Sequence, residues 1–273
     1  MKLDYMKWLF LFVVIIPLTM HSQTHRFYYS VFFKEDTTII KNDLMVLDIN
    51  AEGNIFYSNE YLHIDSLNNI NKKVRFAYPK FKKIVKWNKG DTSFDFIERL
   101  SVNSYQYNTK KSISWHLHSD SKMIGSYNVQ KATAEYGGRK WIAWFTNDIP
   151  FPFGPYIFYG APGLILEVYD EKHDYHFSYT ENRNFPQQVN IEKILLKYLG
   201  LKTFKIKEID WKQIQLNYYN NPIPEYKAGE AMMVKSNGKE YDANDYRELE
   251  ERIKNNIRRQ NNPIELDQKI FYD

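Results

Sequence analysis

The side chains able to do chemistry are few, and most of them are histidines and acids. His116 and His118 stand two apart in "WHLHSD". On a strand that spacing puts both imidazoles on one face, with Asp120 continuing it, so the pair could ligate a metal. Solvated or hydrogen-bonded strand histidines are the competing reading. His173 and His176 in "EKHDYHF" are three apart, which on a strand sends them to opposite faces. Glu167 lies in the apolar run "GLILEVYD", where desolvation among aromatics would raise its pKa toward proton transfer. A basic partner is the alternative, with Lys131, Arg139 and Lys140 on the adjoining hairpin as candidates. Asp148, just before Ile149-Pro150, reads as a turn-organising acid. The chain has no cysteine, no Gly-x-Ser-x-Gly elbow, no phosphate-cradling glycine loop and no His-Glu-x-x-His. No catalytic set and no cofactor site are therefore expected.

Recognition is the other chemistry on offer. Between Asn147 and Leu164 the prolines 150, 152, 155 and 162 interleave with Phe151, Phe153, Tyr156, Phe158 and Tyr159. A long connection this apolar must be covered by the domain or cover something itself. It reads either as a wall of the core or as a stiff aromatic rim for an apolar ligand, a peptide or a partner protein. Trp144 and Glu167, at its two flanks, join this candidate set.

The elements that must position these residues are mainly strands. "SYNVQKATAEY" and "RKWIAWFTN" flank Gly137-Gly138, the signal of a tight hairpin. That turn puts Glu135 opposite Lys140, Thr133 opposite Ile142 and Lys131 opposite Trp144, with Lys131 over the indole. On the other face Ala134 meets Trp141 and Ala132 meets Ala143, and a one-residue slip destroys both patterns. Pro162-Gly163 fits the centre of a type II turn, which requires Gly163 at positive φ. After it, Leu164, Leu166 and Val168 alternate with Ile165, Glu167 and Tyr169, and "DYHFSYTENR" is the expected return strand. "HRFYYSVFFK", "LMVLDIN", "NIFYSNEYLHI", "KKVRFAYPKFKKIVKW" and "KSISWHLHS" read as further short strands. Near the end Tyr246, Leu249, Ile253 and Ile257 form a stripe that predicts a helix over 244–259, packed on the sheet.

At the start, Lys2 and Lys7 precede the apolar run "WLFLFVVIIPLTM" and a polar break. The run is short for a membrane span and reads as a signal peptide over residues 1–22, leaving Gln23 first. The exported chain has no disulfides to rely on, so an aromatic-rich core must hold it together. A net charge of +4 with no long block of one sign gives no reason to expect nucleic acid as a partner.

The segment "GAPGLI", Gly160 to Ile165, resembles the motif that names the GLPGLI family of exported Bacteroidota proteins. The order of "IGSYNVQKATAEYGGRKWIAWFTNDIP", "GP", "GAPGLILEVYD" and "NNPIEL" follows the family's layout over most of the mature chain. Ala161 stands in place of the motif's leucine, and Val129 where a cysteine is common. The resemblance implies export and lineage, with Gly137, Gly138, Gly160, Pro162 and Gly163 as its structural motif, and carries no biochemical activity. Together these readings give a mainly β, β-rich α+β chain. Residues 23–273 form a single curved antiparallel sheet or open barrel-like domain with a C-terminal helix on it. A sheet of that kind looks similar to the open barrel of periplasmic lipoprotein carriers. The expected role is a noncatalytic protein of the periplasm or cell envelope, without a transmembrane span once processed, binding an apolar ligand or a partner protein. The alternatives are a periplasmic hydrolase using carboxylate or histidine, and a structural or adhesive surface protein.

Overall fold

The computed structural model describes residues 23–36, 39–72, 75–88, 93–187, 189–200, 202–229 and 232–273. The expected signal peptide lies outside the described residues. Six strands run as a meander: β1 (Thr24–Lys34), β2 (Ile40–Asn50), β3 (Gly53–Ser58), β4 (Lys83–Asn88), β5 (Ser93–Leu100) and β6 (Asn103–Lys110). Five more do the same: β7 (His116–Ile124), β8 (Tyr127–Tyr136), β9 (Arg139–Thr146), β10 (Leu164–Asp170) and β11 (Tyr175–Phe185). β1 then pairs antiparallel with β11, joining the two meanders into one sheet. A short strand, β12 (Thr203–Lys205), adds parallel to β6, so the twelve-stranded sheet is mixed where an all-antiparallel one was expected.

The sheet is open but strongly curled, as its connectivity requires. β6 and β7 lie near opposite ends of the strand order, yet only residues 111–115 join them. A flat sheet would hold them roughly 48 Å apart at about 4.8 Å per strand. A link of that length reaches only about 20 Å. The hollow contains the main core, with Phe27, Tyr29, Val31 and Phe33 of β1 facing Phe96, Trp141, Phe145 and Phe177 of other strands.

A second, smaller core lies on the outer face. Tyr28, Val46 and Tyr57 point outward and are covered by α1 (Glu60–Asn71) and α2 (Ile191–Leu196) through Tyr61, Ile64 and Leu195. Residues 60–64, expected to continue a strand, instead begin α1. This core includes a buried guanidinium: Arg26 donates twice to Asp48, at 2.7 Å each, and the Tyr57 hydroxyl donates to the same carboxylate.

Three helices close the fold: α3 (Glu208–Asn220), α4 (Pro224–Lys227) and α5 (Ala243–Arg259). α5 starts on an Asp242 cap that accepts from the amides of Asn244 and Asp245, within one residue of the expected start. It lies against α3 and α4, and none of its residues is fully buried, because its apolar stripe is narrow. Among the described residues no helix is long and apolar enough to cross a membrane.

Candidate functional site

The β8–β9 hairpin forms in the expected register, with Glu135, Thr133 and Lys131 opposite Lys140, Ile142 and Trp144. Gly137 and Gly138 have φ of 60° and 73°, the pair of positive values that a two-residue hairpin turn demands. A second reason for glycine appears only in three dimensions. A Cβ on either residue would press within 3.2 Å of Glu265 or Leu266, because the C-terminal stretch docks across the turn, with the Leu266 amide donating to Gly137 O at 2.6 Å. Buried Arg139 fastens the same stretch: it donates to Asn262 Oδ1, Pro263 O and Ile264 O and pairs with Asp170 at 2.9 Å. The "NNPIEL" segment is therefore a clamp across one end of the curl.

The proline-aromatic segment enters where β9 ends and β10 begins and runs up inside the hollow. Phe153 and Tyr159 bridge as a narrow hairpin, and the tip between them holds Tyr156 at φ 58°. Tyr156 and Phe158 are 3% and 1% exposed. Their rings meet Phe81, Phe96, Trp141 and Phe177 at centroid distances of 4.6 to 6.2 Å. The Tyr156 and Tyr136 hydroxyls both donate to Glu265 Oε1, at 2.8 and 2.6 Å, which joins the tip to the clamp. Burial and the nearby Glu265 carboxylate hold both phenols well above the ordinary tyrosine range. Phe151, Phe153 and Tyr159, nearer the entry, are half-buried against His25, Trp87 and Phe94. Tyr159 also donates to Lys111 O and Trp115 to Tyr159 O, both at 2.8 Å, so the segment ties down the link between the two meanders. Tyr156 and Phe158 thus form no rim open to a ligand.

Pro162-Gly163 does not make the expected type II turn. Gly163 is not among the residues with positive φ, whereas Gly160 is, at 87°. Glycine is required at 163 by close approach: a Cβ there would lie 1.9 Å from Thr146 O, where the segment leaves the hollow beside the end of β9. Asp148 does not organise the preceding turn either; its backbone amide donates to the Thr146 hydroxyl oxygen at 3.2 Å.

Trp144 and Glu167 are separated from the rest of the candidate set and brought together on the outer face. They are cross-strand neighbours on β9 and β10. Lys122 of β7 ion-pairs with Glu167 and lies 4.4 Å over the Trp144 ring, the place expected for Lys131. None of the three basic partners expected for Glu167 is the actual one. His176 Nε2 also bonds Glu167 Oε1 at 2.9 Å. The hydrogen bond from His176, followed by that from Lys122, lowers the Glu167 pKa instead of raising it. Around this cluster run Ile142, Tyr169, Ser178, Phe32 and Leu44, and among the described residues no helix covers them. The Trp144 Nε1–H is shielded from solvent and has no acceptor among the described residues.

The histidines gather on this face too. His116 and His118 have ring centroids 4.7 Å apart, with His118 Nε2 2.8 Å from Thr133 Oγ1. Among the described residues no third His, Cys, Asp or Glu joins them as a metal group. His173 and His176, expected on opposite faces, have rings 6.5 Å apart and both pack on Tyr169. His173 belongs to the turn before β11, at φ 51°, so strand alternation does not apply to it. Ser178, His176 and Glu167 resemble a catalytic triad in composition only. Ser178 Oγ and Glu167 Oε1 both address Nε2, at 3.1 and 2.9 Å, whereas a proton relay needs the acid on the other ring nitrogen. Lys122 was missed from sequence because it lies beyond the stretch read as a strand, whereas β7 runs on to Ile124 and carries Lys122 opposite Val129 of β8.

No curated protein matches the chain. Among solved structures it is similar to PNGF-II in its C2 and P21 crystal forms, each at a TM-score of 0.50, with 16% and 15% identity. The likeness covers 70% of this chain but about a third of PNGF-II, 32% and 33%, and at such identity is one of fold alone. A LolA superfamily protein from Nitrosomonas europaea is also similar, with a TM-score of 0.24 and 10% identity over 64% of this chain and 90% of that one. That second likeness is too slight to bear on the site. Residues 138–167, which comprise the β8–β9 turn from Gly138, β9, the inserted segment and half of β10, match the model of a family described as a protein of unknown function, Porph_ging.

Proposed function

We propose that the protein is a noncatalytic, exported component of the cell envelope that binds a partner protein on the outer face of β7–β11. One observation carries this reading. The hollow in which a curled sheet could hold an apolar ligand is filled by the chain's own segment, while among the described residues no helix covers the face bearing Trp144, Glu167 and Lys122, beside a half that α1 and α2 cover. The hydrolase alternative lacks support, since the nearest Ser-His-acid set has both partners on one nitrogen.

Photo-crosslinking in native envelope tests the proposal. A benzophenone side chain at Tyr169 should give a discrete adduct that Trp144→Ala abolishes. The same group at Ile70, 73% exposed on α1, should give none. Equal adducts at both positions, or none at Tyr169, would overturn it. Intact mass of the mature chain should show a start close to Gln23, and a full-length chain retained in the membrane would refute export.

A further inference from the structure

Between Asp65 and Asp91 the sequence has eight Lys and Arg, interspersed with apolar residues, and no acid. In the middle of this stretch, where the chain passes from α1 to β4, burial alternates. Ala77, Pro79 and Phe81 are buried, while Phe76, Tyr78, Lys80 and Lys82 are exposed. The buried set fixes the segment. Ala77 joins the outer core with Tyr61 and Ile64, and Phe81 reaches the main core against Phe33 and Phe56. Asn68 of α1 holds Arg75 from both sides, accepting from its amide at 2.9 Å and donating to its carbonyl at 3.0 Å. The Asp43 carboxylate accepts from the amides of Lys80 and Phe81, each at 3.0 Å. The outward side chains are therefore held outward by the packing of their neighbours.

Those side chains combine apolar surface with unmatched charge. Phe76 and Tyr78 are 61% and 69% exposed, two large rings left in water. The acids in the neighbourhood are already engaged: Glu98 pairs with Lys83 at 2.6 Å, Glu192 with Lys86 and Glu35 with Lys41. Among the described residues no acid pairs with the side chains of Arg75, Lys80, Lys82 or Arg99. Arg99 lies 5.7 Å over the Tyr78 ring and donates to two neutral acceptors, Ala77 O at 3.4 Å and Ser101 O at 3.1 Å. Four cations thus meet one carboxylate, that of Asp43. Phe76 and Lys82 are six residues apart, so rings and ammonium groups lie within about 22 Å and can act on one surface together. A small ligand or a peptide needs walls to exclude water, and side chains this exposed provide none. A bilayer brings its own apolar phase for the rings and its own phosphates for the cations.

We propose that residues 75–82, with Arg99, dock the protein on the surface of an anionic phospholipid bilayer, the two rings entering the headgroup region and the cations meeting phosphate. The segment adjoins β4, with β3, β2 and β1 between it and the face of β7–β11, so its failure leaves the partner-binding reading untouched. The test sediments the mature chain with vesicles of phosphatidylcholine alone and of an equal mixture with phosphatidylglycerol. The expected result is binding to the mixed vesicles only, lost at high salt. Lys80→Gln/Lys82→Gln should weaken it about tenfold or more, at about fivefold per charge, and Phe76→Ser/Tyr78→Ser by a similar factor. All four positions are exposed, so both double variants should keep the parent's melting midpoint. Lys212→Gln/Lys239→Gln, which removes the same charge from exposed sites elsewhere, should bind as the parent does. Phe76→Trp should add a blue shift of emission on the mixed vesicles that the parent lacks. No binding to the mixed vesicles, equal binding to the neutral ones, unchanged binding in both segment variants, an equal loss in Lys212→Gln/Lys239→Gln, or no added blue shift in Phe76→Trp would each overturn the assignment. Tighter binding of N-acetyl-hexaglutamate than of the mixed vesicles would give the segment to an acidic protein partner and overturn it as well.

Discussion

Trp141 and Trp144 lie three residues apart on β9 and face opposite sides of the sheet. Trp141, 1% exposed, packs on Phe158 at 4.6 Å and donates its indole N–H to Tyr136 O at 3.0 Å. Trp144 is half-buried, covered on one side by the Lys122 ammonium, and its N–H has no acceptor among the described residues. The inner ring is enclosed and hydrogen-bonded by the chain itself, whereas the outer one packs on the core only in part and keeps an N–H without an acceptor among the described residues. The contrast extends to their surroundings, since the hollow is filled by the inserted segment and closed by the clamp, while among the described residues the helices that cover the outer face are α1 and α2. Residues of one type on one strand thus end in two environments, and what separates them is how far other parts of the same chain enclose them.

Truncation should expose that contrast most strongly. Trp141→Ala or Phe158→Ala is expected to cost about 3 to 5 kcal/mol in chemical denaturation, because each leaves a void in a packed core. A loss below about 1 kcal/mol for either would mean that the hollow is not filled as described. The exit of the segment comes next. Gly163→Ala, Gly163→Asn and Gly163→Val should all lose roughly 2 to 3 kcal/mol, since any Cβ strikes Thr146 O. Gly160→Asn, at positive φ with open space around it, should lose about 1 kcal/mol or less. If Asn at 163 were well tolerated and Val not, a left-handed turn would regain the argument over close approach.

On the outer face the effects should be smaller. Trp144→Ala is expected to cost about 1 kcal/mol, for a half-exposed ring and one cation contact. A cost matching that of Trp141→Ala would erase the distinction between the faces. The smallest effect concerns pH. His176 and Lys122 depress the Glu167 pKa in the folded chain, so its contribution is present above the ordinary glutamate range and is lost as pH falls through the lower folded value. Thermal melts of Glu167→Gln and the parent should therefore differ at neutral pH and converge in acid below that range. A gap that widens on acidification would reverse the assigned direction.

Much of the fold was legible because its signals are local. The β8–β9 register follows from two glycines and the alternation around them, and the stripe of α5 follows from a helical period. The curl was foreseen only as a class. Its reason, a link too short to join the ends of a flat sheet, needs the strand order, in which β1 meets β11 across 130 residues of chain or more. The candidate site was half legible. Trp144 and Glu167 were picked out and do meet, whereas Lys122 was hidden because β7 runs past the stretch read as a strand, and His176 by the strand alternation that His173 does not obey.

By itself the sequence determined which residues alternate, where the chain turns and which stretches are too apolar to lie in water, since these depend on neighbours a few positions away. Only the tertiary structure decided where the apolar connection goes, why Gly163 must be glycine, and which carboxylate meets which base. Those outcomes are set by backbones and side chains far apart in the chain that compete for the same space, as at Thr146 O and Gly163 or at Glu265 and Tyr156. Local patterning does not contain that competition.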